Sequence, residues 1–196
     1  MDESPLVTTA VLAALGRRDD LAEHLRTVLG QGADPDRHRE ALLQVLPYAG
    51  FPRSLSALLV FDGVLGETKE PEGPTPPRDV LIARGEGVFR RVYGGAADTI
   101  LANIARAHPS LPEWILGDAY GKVLARPGLD LPTREVLGVA LLTALDQPEQ
   151  LQGHIRGGLR VGASAEQLQE AVEIAAALIS PEAGERARER LRREVP

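Results

Sequence analysis

The chain of 196 residues contains no cysteine. Disulfides, thiolate metal sites and cysteine nucleophiles are therefore excluded at the outset. No uninterrupted apolar run approaches the ~20 residues needed to cross a bilayer, so no membrane partner is expected. The opening Met1-Asp-Glu-Ser-Pro lacks the apolar core of a signal peptide. Excess positive charge is missing too: the formal net charge is −6. The one arginine-rich stretch, Arg186 to Arg193, is interleaved with Glu185, Glu189 and Glu194 and reads as a solvated helix end. Nucleic acid is not an expected partner. Alternating apolar runs are scarce as well, so strands have little support. The expectation is a cytoplasmic, all-α protein.

What the sequence does contain is an internal copy. Residues 12–45 and 142–175 align without a gap at an offset of 130, with 11 identities in 34 positions. The shared residues include His24/His154, Arg26/Arg156, Gly32/Gly162 and Glu40/Glu170. Duplication implies a common helical scaffold, and directs attention to what each copy kept or lost. The expected division is a first unit at 1–65, a linker at 66–78 and a second, longer unit at 79–196. The linker reading rests on Pro71, Pro74, Pro76 and Pro77, which cannot join a packed helix.

Helix boundaries follow from caps. Asp34-Pro35 gives an N-cap followed by proline at the first helical position. Asp130 and Pro132 predict another start, and Ser164 with Gln167 forms a capping box. Helices are expected at 79–93 and 96–107, at about 133–145, and from Ser164 to Ile179 before Pro181.

His24 and His154 each lie on the apolar stripe of a helix and must hydrogen-bond a partner there. Glu40 and Glu170 stand near helix starts, where they suit the helix dipole or a salt bridge to Arg26 and Arg156. The copies then diverge. Glu135 precedes His154 by nineteen residues, whereas the equivalent of Glu135 is Pro5. Tyr48-Ala-Gly-Phe-Pro52 occurs in the first copy alone. One Glu–His pair and one tyrosine turn suit a single proton-transfer site spanning both copies. Neither a phosphate loop nor a local metal motif is present, so no metal is expected.

The segments LAEHLRTVLGQGADPD and REALLQVLPYAGFPRSL, with ARGEGVFRRVYGG and AYGKVLARPGLDLPTRE further on, resemble the carboxymuconolactone decarboxylase family. That family is part of the alkylhydroperoxidase D-like superfamily. The resemblance implies a helical bundle and, for a fused pair of units, a homotrimer. It also implies a cofactor-independent decarboxylase or related lyase acting on a small cyclic lactone carboxylic acid. Glu135 and His154 take the places of the superfamily's relay pair, with Arg134 or Arg126 holding the substrate carboxylate and Tyr48 shaping the pocket. The peroxidase members carry cysteines where this chain has Arg17 and Asp20, or Gln147 and Gln150. Thiol peroxidase chemistry is therefore excluded. The decarboxylase tryptophans are replaced by Tyr120 and Leu124. A non-catalytic oligomeric ligand-binding or scaffold protein of the same fold is the alternative.

Overall fold

A computed structural model describes residues 3–66 and 73–195. Of the expected linker, residues 67–72 lie outside the described residues. Every regular element among the described residues is helical. The first copy supplies α1 (Ser4–Leu15), α2 (Arg18–Gly30), α3 (Pro35–Gln44) and α4 (Leu46–Leu65). The middle of the chain forms α5 (Arg78–Tyr93), a 3₁₀ turn, α6 (Ala97–Ala107) and α7 (Leu111–Trp114), followed by a π-helical segment, Ile115–Leu124. The second copy then runs through α8 (Leu131–Ala144), α9 (Pro148–Val161), α10 (Ala165–Ala176) and α11 (Pro181–Glu194). Shifted by 130, these four helices fall on α1 to α4.

The caps explain the boundaries. Asp34, Asp130 and Ser180 each accept a backbone N–H from the first turn of the helix they open, and Ser164 closes its capping box with Gln167. Gly16 and Gly32 adopt positive φ after α1 and α2. At the place of Gly16 the second copy has Asp146, the one non-glycine residue with positive φ among those described (51°). Arg186 donates two hydrogen bonds to its carboxylate, at 3.1 and 2.6 Å, and this ties the strained turn to α11. The α10 helix ends at Ala176, three residues short of the expected Ile179.

The described residues fall into two compact units, drawn from 1–69 with 128–196, and from 70–127. Compactness and copy are thus different divisions of this chain: the second copy's helices share a unit with residues 1–65, apart from residues 79–127. The reason is apolar burial. Helix α8 is buried along nearly its whole length, with Val136, Leu137, Val139, Ala140 and Leu141 at 1% exposure or less, so it serves as a core element rather than a surface one. It packs against α1, α9 and α10, and its core joins Leu6, Val7, Ala10 and Val11 of α1.

Polar contacts show how the copies meet. Thr133 donates to Glu3 at 3.2 Å, and these two residues occupy the same position in the two copies. Glu40 of α3 accepts from Arg134 of α8, while Glu170 of α10 accepts from Ser4 of α1, again equivalent partners exchanged. Self-pairing of equivalent positions is the mark of an isologous, two-fold arrangement, here within one chain.

In the other unit α5 crosses the π-helical segment closely. A methyl group on Gly85 would come within 1.8 Å of the Leu116 carbonyl oxygen, and one on Gly121 within 2.1 Å of that of Leu81. Phe89, Tyr93 and Tyr120 cluster beside this crossing, and the Tyr120 hydroxyl donates to that of Tyr93 at 3.1 Å.

Candidate functional site

Asp130 fixes where α8 begins, and one turn later the helix carries Glu135 into the core with no exposed surface. The tight turn at Asp146 reverses the chain, so α9 runs back along α8 and carries His154 past that carboxylate. His154 Nδ1 lies 2.9 Å from Glu135 Oε2, and His154 is only 7% exposed. Among the described residues, Glu135 Oε1 has no hydrogen-bond partner. With the carboxylate accepting from Nδ1–H, the tautomer is set and Nε2 becomes the basic nitrogen. A buried carboxylate behind an imidazole orients the ring and stabilises its protonated form, the arrangement general acid–base chemistry requires.

Tyr48 comes from the other copy. It sits in the first turn of α4, which breaks at Gly50 (φ 80°, ψ 171°), where the next two residues are Phe51 and Pro52. A side chain disfavours that φ, so the glycine is what allows the chain to bend there. The bend sets the Tyr48 ring against the His154 ring, centroids 5.8 Å apart and planes inclined by 60°.

Arg134 and Arg126 are the arginines expected to hold a carboxylate. Arg134 is fully buried; its Nη2 donates to Glu40 at 2.9 Å and its Nη1 to Gln44 at 3.1 Å. Gln44 in turn donates to the Arg134 carbonyl at 2.7 Å. This guanidinium therefore joins α8 to α3. The sequence suits Glu40 to the helix dipole or to a salt bridge with Arg26, and the structure pairs it with Arg134. Arg126 belongs to the other compact unit.

The first copy shows what His24 does without a glutamate. Its Nε2 donates to the Pro5 carbonyl at 3.0 Å, from the residue that replaces Glu135, and lies 3.1 Å from Thr9 Oγ1. Thr9 Oγ1 is also 2.9 Å from Nδ1 of His38, which is 2% exposed. Burial foremost, with contributions from His24 and Arg37 against the opposing pull of Asp34, lowers the His38 pKa to about 4. His38 was not singled out from the sequence, because its counterpart is the apolar Leu168 and the duplication does not mark it.

This depression has a consequence for stability. Below its unfolded pKa of ~6.5 the unfolded chain takes up a proton that native His38 refuses. Stability is therefore whole above pH ~6.5 and declines as the pH falls towards about 4, where native His38 also protonates. At ~1.4 kcal/mol per pH unit, the loss is on the order of 3 kcal/mol once native His38 is protonated as well. Thermal unfolding at pH 7 and pH 4.5 should show that His38→Gln loses less stability on acidification than the unaltered protein. Parallel pH profiles for the two proteins would count against this origin.

Comparisons with known proteins bear on the same regions. The model of the "Carboxymuconolactone decarboxylase family" matches residues 3–63 and 113–191. The chain is 29% identical over 182 residues to Peroxisomal protein 2 of Schizosaccharomyces pombe, covering 87% of this chain and 82% of that protein. It is 25% identical over 172 residues to Peroxisomal protein 2 of Saccharomyces cerevisiae, covering 74% and 60%. A shorter match, 47% identical over 53 residues, links it to 4-carboxymuconolactone decarboxylase of Acinetobacter baylyi, covering 27% and 40%. With both helical copies matched over well more than half of its length, the chain belongs to the carboxymuconolactone decarboxylase family.

Proposed function

We propose that this protein is a cofactor-independent lyase, a decarboxylase of a small cyclic lactone carboxylic acid, with Glu135 and His154 as its proton-transfer pair. The observation that carries this reading is the 2.9 Å contact between His154 Nδ1 and a carboxylate that has no exposed surface. Decarboxylation next to a conjugated lactone breaks the bond to the carboxyl carbon and releases CO₂. The electron pair enters the ring system as a dienolate, which then takes a proton at carbon. Protonated His154, stabilised by Glu135, supplies that proton from Nε2, and the apolar core around the pair weakens competition from water. The Acinetobacter relative bears the name of such an enzyme, which supports the reading.

A panel of lactone and keto acids, followed by ultraviolet absorbance and by release of CO₂, tests it. Consumption of at least one lactone acid is expected. A panel left untouched by the folded protein would remove the lyase assignment and favour the binding or scaffold alternative.

A homo-oligomer, specifically a trimer, belongs to the same proposal. Phe51, Leu55 and Leu59 recur every four residues along α4 and are 76%, 59% and 58% exposed, an apolar stripe that a second subunit would cover. The mass in solution should be three times that of the chain, and a monomer would overturn this part. For location, the name of the two yeast relatives sets the peroxisome beside the cytoplasm. Imaging of a tagged chain separates the two.

A further inference from the structure

The turn after Glu135 on α8 carries Gly138. A methyl group there would lie 2.8 Å from the Tyr48 hydroxyl oxygen, 3.2 Å from His154 Nδ1 and 3.5 Å from Tyr48 Cζ. Real Cβ contacts are almost never as close as 2.8 Å, so at Gly138 the phenol and the imidazole both crowd the same backbone. We propose that Gly138 is a positioning residue: its missing side chain admits the Tyr48 hydroxyl from the first copy to the Glu135–His154 pair. The site is then a three-group one, in which a phenol donor stands beside the imidazole. It suits a ligand with an anionic oxygen, an enolate or a carboxylate, held at His154.

The first copy supports this by its differences. Its equivalents of Gly138 and Tyr48 are Thr8 and Leu178. Both line a surface cavity of about 330 Å³ together with His24, so the same three positions converge there too. A threonine now fills the place of the glycine, and no phenol is present. The convergence is thus a property of the duplicated scaffold, and the glycine–tyrosine combination is what one copy adds to it.

This inference rests on the proton-transfer reading of the site, but its test needs no substrate. Thermal unfolding and the ¹⁵N ring shifts of His154 are compared in the unaltered protein, G138A, Tyr48→Phe and the double variant. In G138A the melting temperature is expected to fall by roughly 5 °C. The His154 ring should also lose its single Nδ1–H tautomer. In the Tyr48→Phe background, where the 2.8 Å contact is gone, the same change should cost less than half as much and leave the tautomer intact. Equal costs in the two backgrounds, or an unaltered tautomer in G138A, would overturn the proposal. If G138A does not fold, a folded double variant is the expected rescue, and an unfolded one overturns it. Loss of the lyase reading would show instead as no turnover by the unaltered protein, with this coupling still measurable.

Discussion

Turnover by Glu135→Gln and by His154→Asn is expected to fall by ~10²–10⁴-fold relative to the unaltered protein, on whichever lactone acid that protein consumes. The glutamine change isolates the charge. Its side-chain oxygen can still accept from His154 Nδ1, so the ring stays in place while the anion behind it disappears. Without that anion the imidazolium form loses its stabilising partner, and the proton needed by the dienolate is harder to hold at Nε2. The new amide N–H group takes the place of Oε1, which already lacks a partner among the described residues, so a stability cost of ~1–3 kcal/mol accompanies the change. Circular dichroism should therefore show a folded helical protein with little activity. The histidine change removes the proton donor itself and should be at least as severe. Full turnover in either variant would remove the pair from the chemistry. A loss confined to KM would make the pair a binding feature.

This pairing was approachable from sequence because helix geometry is periodic. Glu135 and His154 stand on consecutive helices, and the cap at Asp130 and the first-turn proline Pro148 mark where each helix starts. Once the turn length is known, which side chains face each other follows from the 3.6-residue repeat. The duplication sharpened the argument, since Pro5 marks the same place in the other copy, and its carbonyl is indeed what His24 meets. Caps did as well as expected, because each depends on a few adjacent residues.

Long-range choices were less legible. Local sequence offers Glu40 the helix dipole or Arg26, whereas the fold pairs it with Arg134, ninety-four residues away. Local pattern cannot rank such partners, because the winner is decided by which helix packs alongside. The π-helical stretch at Ile115–Leu124 is invisible for a similar reason: its apolar content suits an α-helix equally well. Gly138 is the clearest case. In sequence it is an isolated glycine inside a helix, a mild penalty, and its meaning appears only when Tyr48 arrives from the other copy.

The buried arginine should give the largest stability effect. Replacing Arg134 with Met is expected to destabilise the protein by about 3–5 kcal/mol, because it takes the guanidinium from a largely buried ion pair. Glu40→Leu should cost a similar amount for the opposite reason, leaving a guanidinium with no exposed surface short of its anion. The double variant removes both charges. It should recover much of the loss, since a buried ion pair is often no more stabilising than the apolar residues that replace it. Gln44 limits that recovery: its amide can still donate to the carbonyl of residue 134, but its own carbonyl loses the Nη1 donor. The fold supplies a control in the equivalent contact of the other copy, Ser4 to Glu170, which is exposed. Glu170→Ala should cost less than about 1 kcal/mol, because water solvates whatever the change leaves behind. Urea unfolding of the five proteins gives the comparison directly. A single variant at Arg134 within 1 kcal/mol of the unaltered protein would mean that the Arg134–Glu40 pair contributes little to stability. The join between α3 and α8 would then rest on apolar packing alone.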